Sequence, residues 1–208
     1  MYKDVYKKII LLTMLLTVTA CVGFGGNSPP TYHYVLSSDI VSNTNTTIDL
    51  QSEQLSIGLW LVTLPDMLDR PQIVTRIDQY GIQLGEFDRW AGDLKLNMTQ
   101  QIADELRVRL RTDRVTVYPW LTNQAINHQV KINVVRFDGT LGGAAVLKGT
   151  WVLLDGNGKK ELFRESFFKK SDTKDISYTA MVATLSKLVT ALSEQISAGI
   201  DKKNKLLE

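Results

Sequence analysis

Few residues in this chain are of a type and spacing that could do chemistry, and the best placed is a cysteine. Cys21 comes after Val18-Thr19-Ala20, small residues that fit a bacterial lipobox. At such a position the thiol is an acyl acceptor. Cys21 is also the only cysteine, so it has no partner for an intrachain disulfide. Each buried methylene of an acyl chain adds ~0.8 kcal/mol, so several chains hold a soluble domain firmly at a bilayer. The chemistry of catalysis is missing by comparison. The two histidines, His33 and His128, have no second histidine or carboxylate at ligand spacing, so a three-ligand metal site is not expected. There is no G-x-S-x-G elbow and no P-loop, and Gly142-Gly143 reads as a turn. Asp66 and Asp69 lie on one turn beside Pro65, where carboxylates cap and solvate. No catalytic residue, metal ligand or cofactor site is expected, and the chain does not read as an enzyme.

The segment before Cys21 fits an export signal. Lys3, Lys7 and Lys8 form a basic head, and Ile9 to Ala20 is uncharged and mostly apolar. That run is shorter than the ~20 residues a spanning helix needs. It reads as a signal peptide over 1–20, cut before Cys21. With three Lys and one Asp removed in that segment, the 24 basic and 22 acidic residues of the chain come into balance. A net charge of zero gives no reason to expect nucleic-acid binding. Val22–Pro30, rich in Gly, Ser and Pro, reads as a tether. The chain beyond Pro30 is long enough to bury a core without disulfides.

The elements that would carry any function can be placed from local patterns. Tyr32–Ser37 is expected to be a strand and Ser42–Asp49 an exposed polar loop. Leu55, Ile57, Leu59 and Leu61 alternate with Ser56, Gly58 and Trp60, which predicts a strand over Gln54–Val62. Pro65–Asp69 predicts one helical turn stopped by Pro71. Ile73–Ile77 and Ile82–Leu84 flank Asp78-Gln79-Tyr80-Gly81 as a hairpin. Leu94, Met98, Ile102, Leu106 and Leu110 form one stripe of a helix over Asp93–Arg111, with Asp93 as N-cap. Arg107, Arg109 and Arg111 read as its solvated, dipole-favoured end. Val115–Val117 is a short strand before Tyr118-Pro119-Trp120. Gln129–Phe137, Ala145–Leu154 and Glu161–Phe168 predict an antiparallel meander, turned at Asp138–Gly143 and at Asp155-Gly156-Asn157-Gly158. Met181, Leu185, Leu188, Leu192 and Ile196 mark a last helix over Ser177–Ala198, too polar at Lys187, Ser193, Glu194 and Gln195 to span a membrane. The Lys-rich tail Asp201–Lys205 is expected to fray. The fold class is α/β in the broad sense, more narrowly α+β. It is expected to be a single domain with helices packed on one mixed, largely antiparallel sheet. Of the four tryptophans Trp60, Trp90, Trp120 and Trp151, most should be core residues, leaving one or two near loops as anchors for a partner.

Several segments together resemble a known family. Trp60–Arg76 (WLVTLPDMLDRPQIVTR) is similar to the signature segment of the PqiC/YmbA lipoproteins, auxiliary subunits of a bacterial intermembrane transport system. Trp90-Ala91-Gly92-Asp93-Leu94 resembles that family's Trp-Ala-x-Pro-Leu helix start, with Asp93 where Pro is common. Phe137-Asp138-Gly139 and Gly149-Thr150-Trp151 resemble its Phe-x-Gly and Gly-x-Trp strand motifs. Tyr178-Thr179-Ala180-Met181-Val182 resembles the start of its last helix. Trp60-Leu61 departs from the family, many of whose members carry a Pro there.

The resemblance implies a signal peptide at 1–20, a lipidated Cys21 and tether at 21–30, a PqiC-like periplasmic domain at 31–200 and a charged tail at 201–208. It implies palmitate-type lipidation and attachment to the periplasmic face of the outer membrane, in agreement with Val22 where Asp would signal inner-membrane retention. The implied partner is a PqiB-like MCE protein, whose domains stack into a lipid-conducting tube. The implied role is docking and support of that tube, and through it envelope integrity. A lipid path needs an apolar lining that a homo-oligomeric ring would supply, so a second copy of the chain and a phospholipid stand among the expected partners, and nucleic acid does not. The candidate interface is Trp60, Pro65, Met67, Arg70 and Trp120. Pro65 would fix the turn, Met67 and Leu68 would offer apolar contact and Arg70 forked hydrogen bonds. The same turn is equally explained as Pro65 and Pro71 delimiting a bend while Leu68 plugs the core. The alternative function is a standalone lipid- or small-ligand-binding envelope lipoprotein.

Overall fold

The structure, a computed structural model, describes residues 6, 28–42, 55–120 and 125–205. The chain divides into two compact units, Met1–Pro30 and Thr31–Glu208. The signal segment, Cys21 and most of the tether lie outside the described residues, as does nearly all of the loop expected over Ser42–Asp49. In the second unit the elements in chain order are β1 (Tyr32–Tyr34), a single helical turn α1 (Asp39–Ser42), β2 (Ile57–Leu59), a 3-10 turn at Asp66–Leu68, β3 (Gln72–Arg76), β4 (Ile82–Trp90), α2 (Leu94–Leu110), β5 (Val115–Val117), β6 (His128–Gly139), β7 (Ala144–Asp155), β8 (Glu161–Asp172) and α3 (Tyr178–Asn204). The fold is α+β.

Both long helices form where the apolar stripes predict them. Asp93 accepts a hydrogen bond from the Leu96 N–H and caps α2, and Ser177 accepts from the Ala180 N–H and caps α3. The stripe of α2, from Leu94 to Leu110, and the stripe of α3, from Met181 to Ile196, are both buried. The helices pack on each other, and α3 lies along β7 and β8. Close approach is needed at Gly199, where a Cβ would fall 2.6 Å from the fully buried Trp151 indole. The helix does not fray at the expected tail. Buried Ile200 and a 3.0 Å contact from Asn204 Oδ1 to His128 Nε2 extend it through Asn204. Nor are the arginines ending α2 simply solvated: Arg107 bonds Asp104 and the Val115 carbonyl.

The strands divide between two sheets where the sequence suggested one. A three-stranded sheet has the order β1-β4-β3, and a five-stranded sheet the order β5-β2-β6-β7-β8. The two predicted hairpin systems, β3–β4 and β6–β7–β8, are antiparallel, while β1–β4, β2–β5 and β2–β6 are parallel. The expected strand Tyr32–Ser37 stops at Tyr34 because side chains take over its ladder. Leu36 N–H donates to Asn97 Oδ1 at 2.7 Å and Ser37 N–H to Ser186 Oγ at 3.2 Å. The expected strand Gln54–Val62 shrinks to β2 for a similar reason: the Val62 N–H donates to Thr99 Oγ1 of α2. The alternation shifts there, leaving Leu61 exposed and Val62 and Leu64 buried.

Two polar clusters tie these layers together. Arg76 of β3 donates through Nε to both oxygens of buried Asp138 at 3.1 and 3.0 Å, and Arg136 Nε donates to the same carboxylate at 2.8 Å. That clamp joins the two sheets. Between the helices, fully buried Glu105 accepts from Gln101 Nε2 at 2.9 Å and from the Thr190 hydroxyl at 2.7 Å. A buried carboxylate needs such donors, because desolvation without partners is costly.

Candidate interaction surface

One face of the five-stranded sheet packs against α3. On the opposite face Arg76 of β3 reaches in at Asp138, and the end formed by β5, β2 and the start of β6 carries an aromatic cluster. Gly58, at the centre of β2, is registered with Thr116 of β5 and Gln129 of β6. The missing side chain is what the cluster requires. A Cβ on Gly58 would meet Ile126 at 2.9 Å and Trp120 at 3.1 Å. Trp120 therefore lies over the strand. Trp60, just after β2, and Tyr118, just after β5, flank it. Their backbones are fixed by Trp60 N–H to Val130 O at 3.0 Å and Tyr118 N–H to Leu59 O at 2.8 Å.

The three rings touch pairwise. Trp60 stacks on Tyr118 with centroids 4.4 Å apart, and Trp120 meets both edge-on at 5.2 and 5.1 Å. Aromatic pairs of these geometries contribute about 0.5–1.5 kcal/mol each beyond area burial. The Trp60 indole N–H donates to Gln129 Oε1 at 2.9 Å, and Gln129 in turn donates to the Gly156 carbonyl at 2.8 Å, which links the cluster to the β7–β8 turn. Lys131 Nζ sits 4.7 Å from the Trp60 ring centroid, a cation–π contact. Tyr118 is 41% exposed, and Trp60 and Trp120 are half-buried. The arrangement is a rigid apolar platform with a polar handle and a cation at its rim.

Of the residues singled out from sequence, Trp60 and Trp120 come together here. Pro65, Met67 and Arg70 belong instead to the 3-10 turn. Pro65 O accepts from the Leu68 N–H, Leu68 is buried, and half-buried Met67 packs on the core. Arg70 lines an open cleft of 460 Å³ with His33, Pro71, Trp90 and Gly92, and its buried Nε has no hydrogen-bond partner. Asp69 pairs with Lys95. Tyr118, Gln129 and Lys131 are members of the cluster that sequence reasoning did not single out. The Tyr-Pro-Trp run after β5 and the polar alternation Gln129–Lys131 were the available signals. Among the described residues, no three His, Cys, Asp or Glu side chains converge as a metal site, and no helix is long and apolar enough to cross a membrane.

Comparison with known proteins points the same way. Residues 34–197 match a family described as the ABC-type transport auxiliary lipoprotein component. No curated protein matches the sequence. A crystal structure described as that of an uncharacterized protein shares 19% identity and covers 83% of this chain and 99% of its own, with a TM-score of 0.68. The crystal structure of a Xanthomonas campestris protein of the DUF330 family shares 14% identity, covers 73% of this chain and 86% of its own, and has a TM-score of 0.59. At these identities the two neighbours speak for the fold.

Proposed function

The chain belongs to the family of ABC-type transport auxiliary lipoprotein components, and from that premise we propose that it is a tethered docking subunit of a PqiABC-like MCE transporter. In this reading Cys21 carries the lipid anchor in the outer membrane and the domain faces the periplasm. Its partner is a PqiB-like protein whose MCE domains form the lipid tube, and copies of the chain ring that tube. The domain contributes binding and support rather than a chemical step.

The observation that carries the reading is the Trp60–Tyr118–Trp120 platform on the sheet face away from α3. Binding energy at protein interfaces concentrates in Trp, Tyr and Arg, and rings already held in place lose little entropy on binding. Here each ring is fixed before any partner arrives. The test is capture of a PqiB-like MCE-domain protein by the purified full chain. Tyr118→Ala should weaken it by about 2 kcal/mol, some thirtyfold, if the ring is a hot spot. Lys131→Glu, at an exposed position, should weaken it without touching the core. Unchanged affinity in both folded variants would overturn the assignment of this surface.

A further inference from the structure

The same face, away from α3, holds a second feature beyond the aromatic platform. Cross-strand partners share a face of a sheet, so the register sorts the side chains of β6, β7 and β8 into rows. The rows on the side away from α3 are Lys131–Val152–Arg164, Asn133–Thr150–Ser166, Arg136–Lys148–Phe168 and Asp138–Val146–Lys170, followed by the pair Ala144–Asp172. Lys131, Arg136, Lys148, Arg164 and Lys170 stand there with Asp138 and, in the next row opposite Ala144, Asp172, and Arg76 reaches in from β3. Arg164 is paired with Glu161. Asp138 is 2% exposed, and the Nε groups of both Arg76 and Arg136 donate to it. The two Nε atoms thus lie within roughly 6 Å of each other, as hydrogen bonds of ordinary length to one acceptor require. The remaining guanidinium N–H groups, and the ammonium groups of Lys148 and Lys170, have no carboxylate partner among the described residues. Arg136 and Lys148 are directly opposite, a like-charge pair that costs a sheet stability. An anion between them would remove that cost.

We propose that this face binds the phosphate-bearing headgroups of anionic phospholipid, with Arg76, Arg136, Lys148 and Lys170 as its donors. Two forked guanidiniums about one carboxylate offer the paired N–H geometry that phosphate oxygens take. The choice of a lipid over a free phosphate rests on what lies beside the cations. Phe168 is 61% exposed and adjoins Lys148 in the same row, and Val135, in the bulge of β6, is 52% exposed. Cations interleaved with apolar side chains match a bilayer interface, where phosphates overlie acyl chains. The inference rests on the membrane-tethered reading above only for its proximity to lipid.

The test uses the purified full chain in a non-ionic detergent. It is titrated with phosphatidylglycerol in mixed micelles, with phosphatidylcholine in a parallel arm, and read by native mass spectrometry. Saturable binding that favours phosphatidylglycerol is expected. Lys148→Gln with Lys170→Gln should weaken it about twenty-five-fold, since each cation near an anionic surface is worth about fivefold. Both lysines are exposed, so folding is not at stake. Arg136→Gln should act in the same direction by about fivefold. Equal binding by parent and double variant would overturn the proposal, as would equal binding of the two lipids. Displacement by inorganic phosphate at matched concentration would reduce the face to a plain anion site. Displacement by oligoglutamate at lower concentration would assign it to an acidic protein segment. Partner capture is measured on the same double variant. Lost lipid binding with intact capture leaves the docking reading standing, and the reverse leaves the lipid site standing.

Discussion

The Arg76–Asp138–Arg136 clamp makes an asymmetric prediction about stability. Asp138 is 2% exposed, whereas the side chains of Arg76 and Arg136 are 24% and 36% exposed. Arg76→Met with Arg136→Met keeps much of the apolar stem packing but strands a carboxylate away from water. Removing the partners of a buried charge costs about 3–5 kcal/mol. Asp138→Asn strands nothing comparable, because both guanidiniums already reach solvent and the amide oxygen still accepts a hydrogen bond. Its loss is the charge-assisted part of the interaction, about 1–3 kcal/mol. Urea unfolding of the parent, the double variant and Asp138→Asn, with m-values compared, gives both numbers. The double variant should be the less stable by about 2 kcal/mol. Asp138→Asn costing as much as the double arginine change would refute the reasoning, since burial of the carboxylate would then not set the balance.

Single elements carry other expected outcomes. Leu188 of α3 is 4% exposed, so Leu188→Ala should lower unfolding free energy by about 2–5 kcal/mol, and a loss under about 0.5 kcal/mol would place that stripe at a surface. The Asp155 carboxyl is held below its ordinary value chiefly by the Lys160 N–H, and also by those of Lys159 and Gly158. Its stabilising effect is therefore full above the ordinary carboxyl value and fades as pH falls through the lowered one. Asp155→Asn and the parent should differ in stability near neutrality and converge in acid; a constant gap across the acid range would contradict that assignment. Cys21→Ser should abolish incorporation of a fatty-acid analogue in cells, and retained label would sink the lipoprotein anchor.

Local signals were legible in the sequence, and long-range ones were not. The stripes of α2 and α3, the cap Asp93 and the turns at Asp78–Gly81 and Asp155–Gly158 depend on neighbours a few residues away, and the structure has each of them. Each of the three parallel pairings joins a three-residue strand to a partner far away in the chain. Periodicity carries no record of such contacts, so the division into two sheets stayed hidden. Alternation failed at Leu61 because a threonine hydroxyl on α2, not a neighbouring strand, receives the Val62 N–H. Gln101 and Glu105 lie off the apolar stripe of α2, yet both are buried: Gln101 Nε2 donates to the Ser186 carbonyl of α3 and the Thr190 hydroxyl of α3 donates to Glu105, while Gln101 Oε1 and Glu105 Oε2 have no hydrogen-bond partner. At the candidate surface, Trp60 and Trp120 were visible as separate tryptophans. Their meeting depends on Gly58 and on β2 lying between β5 and β6. The basic rows depend on the register of two hairpins, which spreads Arg136, Lys148 and Lys170 over three strands.

The central claim, that the aromatic platform is the docking surface, is tested most directly by placing a photo-crosslinking amino acid at Tyr118 of the full chain in cells. Tyr80, 89% exposed at the tip of the β3–β4 hairpin, is the matched control. The account predicts a crosslink from position 118 to a PqiB-like MCE-domain protein, identified by mass, and none from position 80. A crosslink to that protein from position 80 with none from position 118 would contradict it.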